Sequence, residues 1–154
     1  MSLQTDIIFY RAIVEDEAIV EATGGRIYNT AIPLPDEQLN NVPAPYVVIT
    51  YDGMSNDPGS KDDPYEGITD TVQIGIEVVA NNRNELADLT KRIRTAVHDF
   101  FCAAEPLDED FVLVPDDYAI TASPVQYDQY KPAYWQQLRY SCSTENETLN
   151  VDES

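Results

Sequence analysis

His98 is the only histidine in this 154-residue sequence and the first candidate for acid–base chemistry. A catalytic base needs a nucleophile or a carboxylate held close to it. The sequence fixes no such partner, because His98 lies at the edge of an apolar helical stripe. Ser141 and Ser143 flank Cys142 without the pattern of a nucleophile elbow. We therefore interpret His98 as a structural or surface residue and predict that the protein is not an enzyme.

Acidic residues between Asp57 and Glu66 supply carboxylate oxygens that could bind calcium. Their spacing differs from that of an EF-hand loop, which needs acids and a glycine at fixed positions. The carboxylates of residues 108–117 could take part in acid–base catalysis only if one of them had a raised pKa, and the sequence gives no reason to expect that. We interpret both segments as solvated and predict no metal site and no cofactor.

The segment TVQIGIEVVANNRNELADLTKRIRTAV, residues 71–97, has the pattern of a strand leading directly into a helix. Such a junction binds phosphate in many proteins, but it needs glycines so that backbone N–H groups can approach the anion. Residues 81–84 are Asn-Asn-Arg-Asn and contain no glycine. We therefore predict a structural joint in which Asn81 or Asn82 caps the helix.

Hydrophobic periodicity predicts a helix over residues 83–102, with Leu89 and Ile93 at the centre of its buried stripe. On the wetter side of this helix, Asp88 and Arg92 are spaced to form a weak ion pair. The other predicted elements are a helix over 3–21 and strands over 26–32, 46–53, 67–80, 118–130 and 134–144.

This order of elements predicts an α+β fold, with a mainly antiparallel sheet of four to five strands packed against two helices. One domain covers residues 1–144, and residues 145–154 are expected to form a flexible acidic tail. The connection over 53–66 is too long for a tight hairpin. We expect it to be mobile in the isolated subunit and ordered by a neighbour.

The chain carries 9 basic and 28 acidic residues and has a net charge of −19. Such a surface disfavours binding to nucleic-acid phosphates and to anionic membranes. Four of the basic residues lie in the predicted long helix, while acidic residues cluster on either side of it in the sequence. This uneven distribution favours a partner selected by charge, although solvated faces are the ordinary explanation.

The two cysteines, Cys102 and Cys142, lack the spacing of a metal site and are too few for a disulfide framework. We expect both to be reduced and buried. The N-terminus has no basic region before its apolar residues, and no apolar run reaches the length of a membrane span. We therefore expect synthesis in the cytoplasm.

Aromatic residues are concentrated in the predicted sheet and its long connection, and tyrosine alone occurs 10 times. Aromatics are frequent both in strands and at protein interfaces, so sheet propensity explains any single one. Alternation in the last strand places Tyr134 and Trp135 on opposite faces. A helix layer can cover only one face, so the other needs water or a neighbouring subunit.

Four segments, in their order along the chain, resemble the tail-completion, or tail-terminator, proteins of long-tailed bacteriophages. They are an N-terminal amphipathic helix, RIYNTAIP, APYVVITYDG and VQIGIEVVANNRNELADLTKRIRTAV, and they span residues 3–101. A final antiparallel pair of strands also fits this family. The acidic linker 103–117 and the acidic tail 145–154 depart from the family pattern.

The resemblance implies a small α+β subunit that forms a ring, typically of six copies, in the tail or neck of the virion. Such a ring caps the tail tube, contacts the tube protein and joins it to the head-closure or connector protein. The family offers no catalytic residue and no cofactor to carry over. DNA would pass through without specific binding, which fits the acidic composition. The candidate subunit-interface residues are Asp57, Lys61, Tyr65 and Trp135.

Two alternatives stay open at this point. The first is a related neck component, a head-closure or connector protein, which the sequence separates poorly from a tail terminator. The second is a small ligand- or metal-binding domain, which specific metal uptake by residues 57–66 would favour.

Overall fold

The computed structural model describes residues 5–29, 43–57, 69–103, 117–129 and 133–145, and they form three helices and a six-stranded sheet. The α+β class predicted from the sequence is confirmed. The helices are α1 (Thr5–Val14), α2 (Glu17–Thr23) and α3 (Arg83–Ala103). The strands are β1 (Ile27–Asn29), β2 (Tyr46–Asp57), β3 (Thr69–Ala80), β4 (Asp117–Ala122), β5 (Gln126–Asp128) and β6 (Ala133–Glu145).

The sheet is antiparallel except at one edge, where β1 runs parallel to β2. Its strand order is β1-β2-β3-β6-β4, and β5 pairs with β6 beyond the end of β4. The centre is the ladder of β3 and β6, which runs from Thr69 opposite Glu145 to Ala80 opposite Tyr134. Because the sheet is open, β1 forms one edge among the described residues, and β4 and β5 together form the other.

Two predicted elements are divided, which raises the observed numbers above four to five strands and two helices. The N-terminal helix breaks at Asp16, whose backbone is extended (φ −88°, ψ 112°) and which caps α2. The predicted strand 118–130 breaks between β4 and β5, where Pro124 has no N–H to donate to a ladder. Each break therefore has a local cause, a helix cap in one case and a proline in the other, which hydrophobic periodicity does not detect.

The predicted loop of residues 53–66 is wrong for residues 53–57, which continue β2. This extension pairs with β3 as far as Asp57 opposite Thr69, after a bulge between Tyr51 and Gly53. Gly53 has φ 134°, a backbone conformation that L side chains rarely adopt. Residues 58–66 and the predicted tail from residue 146 onward lie outside the described residues.

The main core lies between one sheet face and the three helices. The stripe of α3 packs on the alternating residues of β3, and the expected core positions are confirmed because Leu89 is 4% exposed and Ile93 is fully buried. The sets that meet here are Leu86, Leu89, Ile93, Ala96 and Val97 of α3 and Val72, Ile74, Ile76, Val78 and Ala80 of β3.

An aromatic group fastens α1, α3 and β4 together at one end of this core. The Phe9 ring lies 5.1 Å from Phe101 and 4.9 Å from Tyr140, centroid to centroid. Tyr118 of β4 contacts the same two rings at 5.4 and 5.7 Å. Aromatic pairs at these separations stabilise the fold beyond their burial, so β4 is held to α3 and β6, and the same rings hold α1.

The two cysteines are free, as expected, but only one is buried. Cys142 lies in the core of β6, and burial raises the pKa of its thiol to about 12. Cys102 is exposed in the last turn of α3, so the expectation that both are buried is wrong. No helix in the described ranges is both long and apolar enough to cross a membrane.

Leu89→Ala should lower the free energy of unfolding by about 2–5 kcal/mol, because it removes buried methyl groups and leaves a cavity. Urea unfolding of the full chain measures this loss. Lys91→Ala, an exposed position of the same helix, is the matched control and should change stability little. An unchanged unfolding midpoint for Leu89→Ala would show that the buried face of α3 is assigned incorrectly.

Candidate functional site

The junction of β3 and α3 is closed by its own side chains. The Glu85 N–H donates to Asn82 Oδ1 at 2.8 Å, so Asn82 is the N-cap. The Asn81 N–H donates to Glu85 Oε1 at 3.1 Å, and the Asn81 side-chain amide donates to the Ala44 carbonyl at 3.2 Å. The Glu85 carboxylate thus places negative charge beside the N-terminus of α3, where the helix dipole favours it. The junction is a structural joint.

His98 lies on the exposed side of α3 and links that helix to β4. Its Nδ1 is 2.8 Å from the Tyr118 hydroxyl, and its Nε2 is 3.6 Å from Cys102 Sγ. Burial raises the pKa of Tyr118, so its hydroxyl stays protonated near neutral pH. The side-chain partners of His98 are therefore a tyrosine hydroxyl and a thiol. Across the described ranges, no group of three or more His, Cys, Asp or Glu side chains could hold a metal ion.

The sheet face opposite the helices has an apolar half, to which Trp135 belongs. Trp135 lies opposite Val79 of β3 and Gln126 of β5. In β6, Leu138 and Tyr140 point into the main core, so Trp135 lies on the second face by alternation. The sequence predicts that Trp135 lies on the opposite face from Tyr134, but it does not predict which face the helices cover. The buried residues of this half are Tyr46, Val48, Val79 and Ala133, with Tyr28, Ala44 and Trp135 packed against them.

The predicted interface residues are not brought together where the structure describes them. Trp135 aligns with Val79 of β3, whereas Asp57 aligns with Thr69. Ten residues of strand separate these levels, about 33 Å at the usual rise per residue. Asp57 and Trp135 therefore mark opposite ends of the sheet. Lys61 and Tyr65 lie outside the described residues.

The other half of this open face is polar. The Thr50 hydroxyl donates to Asp52 Oδ1 at 2.9 Å, and Arg139 Nε lies 3.8 Å from Asp52 Oδ2. Gly75 makes room for these side chains, because a Cβ there would lie 2.5 Å from Thr50 Oγ1 and 2.7 Å from Asp52 Oδ2. Further along, Gln73 donates to the Ser141 hydroxyl at 3.0 Å. This half suits hydrated contacts better than a dry interface.

A basic groove lies between α3 and β4, with a volume of about 320 Å³. Lys91 and Arg94 are its exposed cations, and no acidic side chain is among the described residues that line it. The lining residues are Lys91, Arg94, Thr95, His98, Tyr118, Ile120 and Tyr140. The groove is therefore positive within a strongly acidic protein.

An acidic groove of about 580 Å³ lies on the other flank of α3, beside α2. Ala18, Ala22 and Leu89 supply its apolar lining, while Glu85 and Asp88 supply carboxylates. Beside it, the connection between α1 and α2 is tied to α3 by the ion pair of Asp16 with Arg92. Arg92 also lines this groove.

Arg92 pairs with Asp16, so the predicted Asp88–Arg92 pair is wrong. Arg92 Nη2 donates to Asp16 Oδ2 at 2.6 Å, and its Nε donates to Oδ1 at 3.1 Å. Asp16 also accepts from the Ile19 N–H at 3.1 Å as the cap of α2. The paired residues are 76 positions apart, so helical spacing could not indicate this contact. Asp88 is left exposed without a described ion-pair partner.

No protein-family model matches this chain, and a search of curated proteins gives no match. Among solved structures, the chain is similar to one from the virion of a native gene transfer agent (GTA) particle. The TM-score is 0.55, and the alignment covers 92% of this chain and 94% of that chain at 13% sequence identity. At this identity the similarity shows a shared fold, and it extends over nearly all of both chains.

Asp16→Ala should lower the free energy of unfolding at neutral pH by about 1–2 kcal/mol, because it removes the cap of α2 and the partner of Arg92. Burial raises the pKa of Asp16, but the Arg92 and Ile19 hydrogen bonds outweigh it, so the pKa lies below its ordinary value of 3.8. A lowered pKa stabilises the fold above the ordinary value, and this contribution is lost as the pH falls through the lowered value.

Urea unfolding at pH 7 and pH 3 tests this prediction. The difference between the unaltered protein and Asp16→Ala should shrink at pH 3, because below the ordinary value of 3.8 the Asp16 carboxylate takes up a proton more readily in the unfolded chain than in the folded one. Asp16→Ser is the matched control, since it retains the cap and loses only the ion pair, and its loss should be smaller. An equal loss for Asp16→Ala at both pH values would contradict the role of the charge.

Proposed function

We propose that this chain is a structural protein of a phage virion, which assembles as a ring on the tail tube and joins the tail to the head connector. The observation that carries the proposal is the fold shared with a chain of the gene transfer agent virion over 92% of this chain and 94% of that one. The resemblance of residues 3–101 to tail-terminator proteins supports the finer assignment.

The two-sided sheet supports a role in assembly. The three helices cover one face, and the second face carries the apolar half, in which Tyr46 and Val48 are already buried within the single chain and Trp135 is partly exposed. Aromatic residues in an apolar patch with a polar surround are typical of interface cores. The polar half, with Asp52 and Arg139, provides such a surround on the same face. In a ring, a neighbouring subunit would contact the partly exposed Trp135.

The charge supports passage of DNA through such a ring. At −19, a subunit attracts phosphates weakly, so a ring of several copies would not hold the DNA that slides through it. The charge is equally compatible with the alternative function, a head-closure or connector protein of the neck. The two functions differ in the surface that the ring binds first, which is the tail tube for a terminator and the connector for a neck protein.

Binding to tail tubes tests the proposal. Purified full-length protein is mixed with isolated tubes that lack a terminator and, separately, with head connectors from the same particle. Electron microscopy and co-sedimentation should show rings at one end of the tube. Rings on the connector alone would favour the neck function, and binding to neither would remove both.

Trp135→Ala should weaken self-association, because it removes the largest side chain of the apolar half. Sedimentation velocity measures the effect, with Trp135→Phe as the matched control that keeps an aromatic ring.

Moderate salt should strengthen self-association of the unaltered protein, since it screens repulsion between copies at −19. Sedimentation velocity at low and moderate salt measures this change. A chain that is monomeric at every salt and concentration would exclude a ring.

A further inference from the structure

The two flanks of α3 carry opposite charges, and this follows from the helix geometry. Lys91, Arg94 and His98 repeat at three- and four-residue spacing and turn towards β4. Glu85 and Asp88 share a different flank, which turns towards α2. With the buried stripe centred on Ile93, both charged flanks lie on the exposed side of the helix, where Asp88 and Lys91 are neighbours three residues apart.

The basic groove holds cations that lack a described acidic partner. Arg92 is paired with Asp16 and Arg139 lies near Asp52, but Lys91 and Arg94 form no ion pair with any carboxylate in the described ranges. Burial raises the pKa of Tyr118, and the positive charge of Arg94 opposes that effect, so the guanidinium lies near the groove wall. A carboxylate entering the groove would meet positive charge on one side and aromatic surface on the other.

The acidic groove has the complementary composition. Asp88 is exposed, and the Glu85 carboxylate adds negative charge beside it. Ala18 and Ala22 are exposed and small, so another chain can approach the groove closely. The Arg92 charge is offset by Asp16, whose carboxylate lies 2.6 Å away. The acidic groove therefore presents net negative charge around an apolar floor.

We propose that the basic groove of one copy receives the wall of the acidic groove of a second copy that carries Asp88, so that Arg94 faces Asp88. The occupant is a second copy because both complementary surfaces lie on this one chain. Two unlike surfaces that meet head to tail generate a ring when the rotation closes. The inference rests on the proposed ring and specifies which surfaces form it.

Electrostatics explain why this orientation is selected. Copies with a net charge of −19 repel one another in most orientations. The basic groove is a place where an approaching carboxylate is attracted by positive charge. Charge complementarity fixes the register of an interface and rejects wrong pairings more than it adds affinity. Apolar contact, including Ala18, Ala22 and Ile120 at the groove walls, would supply part of the affinity.

Charge reversal of the full-length chain tests the inference. Arg94→Glu and Asp88→Arg should each weaken self-association at least about tenfold in sedimentation velocity, since each places like charges opposite one another. An equal mixture of the two variants should recover association. In an alternating assembly, Glu at position 94 of one copy meets Arg at position 88 of the next, and the native pair forms at the following contact.

Arg83→Glu is the matched control, because it makes the same charge change on the same helix outside both grooves. It should associate like the native protein. The inference is overturned if Arg94→Glu behaves like Arg83→Glu, or if the mixture stays dissociated while each variant unfolds at the native midpoint. Recovery in the mixture, by contrast, shows that both variants are folded and that the grooves meet.

The outcomes separate this inference from the proposed function. Rings that bind tail tubes but ignore the charge reversals would overturn the pairing of the grooves alone. Assemblies that follow the charge-reversal pattern but bind no tube would support the pairing and count against the tail role. A native chain that never self-associates would overturn both.

Discussion

The packing of α3 against β3 is the constraint on which the other features depend. With Leu89 and Ile93 fixed inside, the helical repeat leaves no freedom in where the remaining side chains of α3 point. One flank turns to β4 and forms the basic groove, and the other turns to α2 and forms the acidic groove. A rotation of the helix would expose its apolar stripe, so the charge asymmetry of the surface is as firmly held as the core itself.

The open sheet imposes a second consequence. Strand alternation gives every long strand two faces, and the helices cover only one of them. The second face divides into an apolar half around Trp135 and a polar half around Asp52 and Arg139. Gly75 permits the polar half to be flat, because a side chain there would collide with Thr50 and Asp52. The molecule thus offers surfaces of different chemistry for contacts with other chains.

If so acidic a protein assembles, apolar and charged contacts must serve different purposes: the first supply affinity and the second select an orientation. At −19, long-range repulsion acts between any two copies, and screening by salt weakens it. In the proposed ring, apolar contact would supply affinity at short range, and the proposed pair of Arg94 with Asp88 would select an orientation. The described residues provide both kinds of surface, and a structural role in a particle needs no reactive site.

Local features of this protein were determined by the sequence itself. Periodicity and capping preferences could predict features that depend on residues a few positions apart: the stripe of α3, the alternation of β3 and β6, the opposite faces of Tyr134 and Trp135, and the cap at the start of α3. The tertiary structure alone decided that Arg92 pairs with Asp16, that β2 continues to Asp57, and that Asp57 and Trp135 lie at opposite ends of the sheet. These depend on strand register and helix docking between distant segments, which no local pattern encodes.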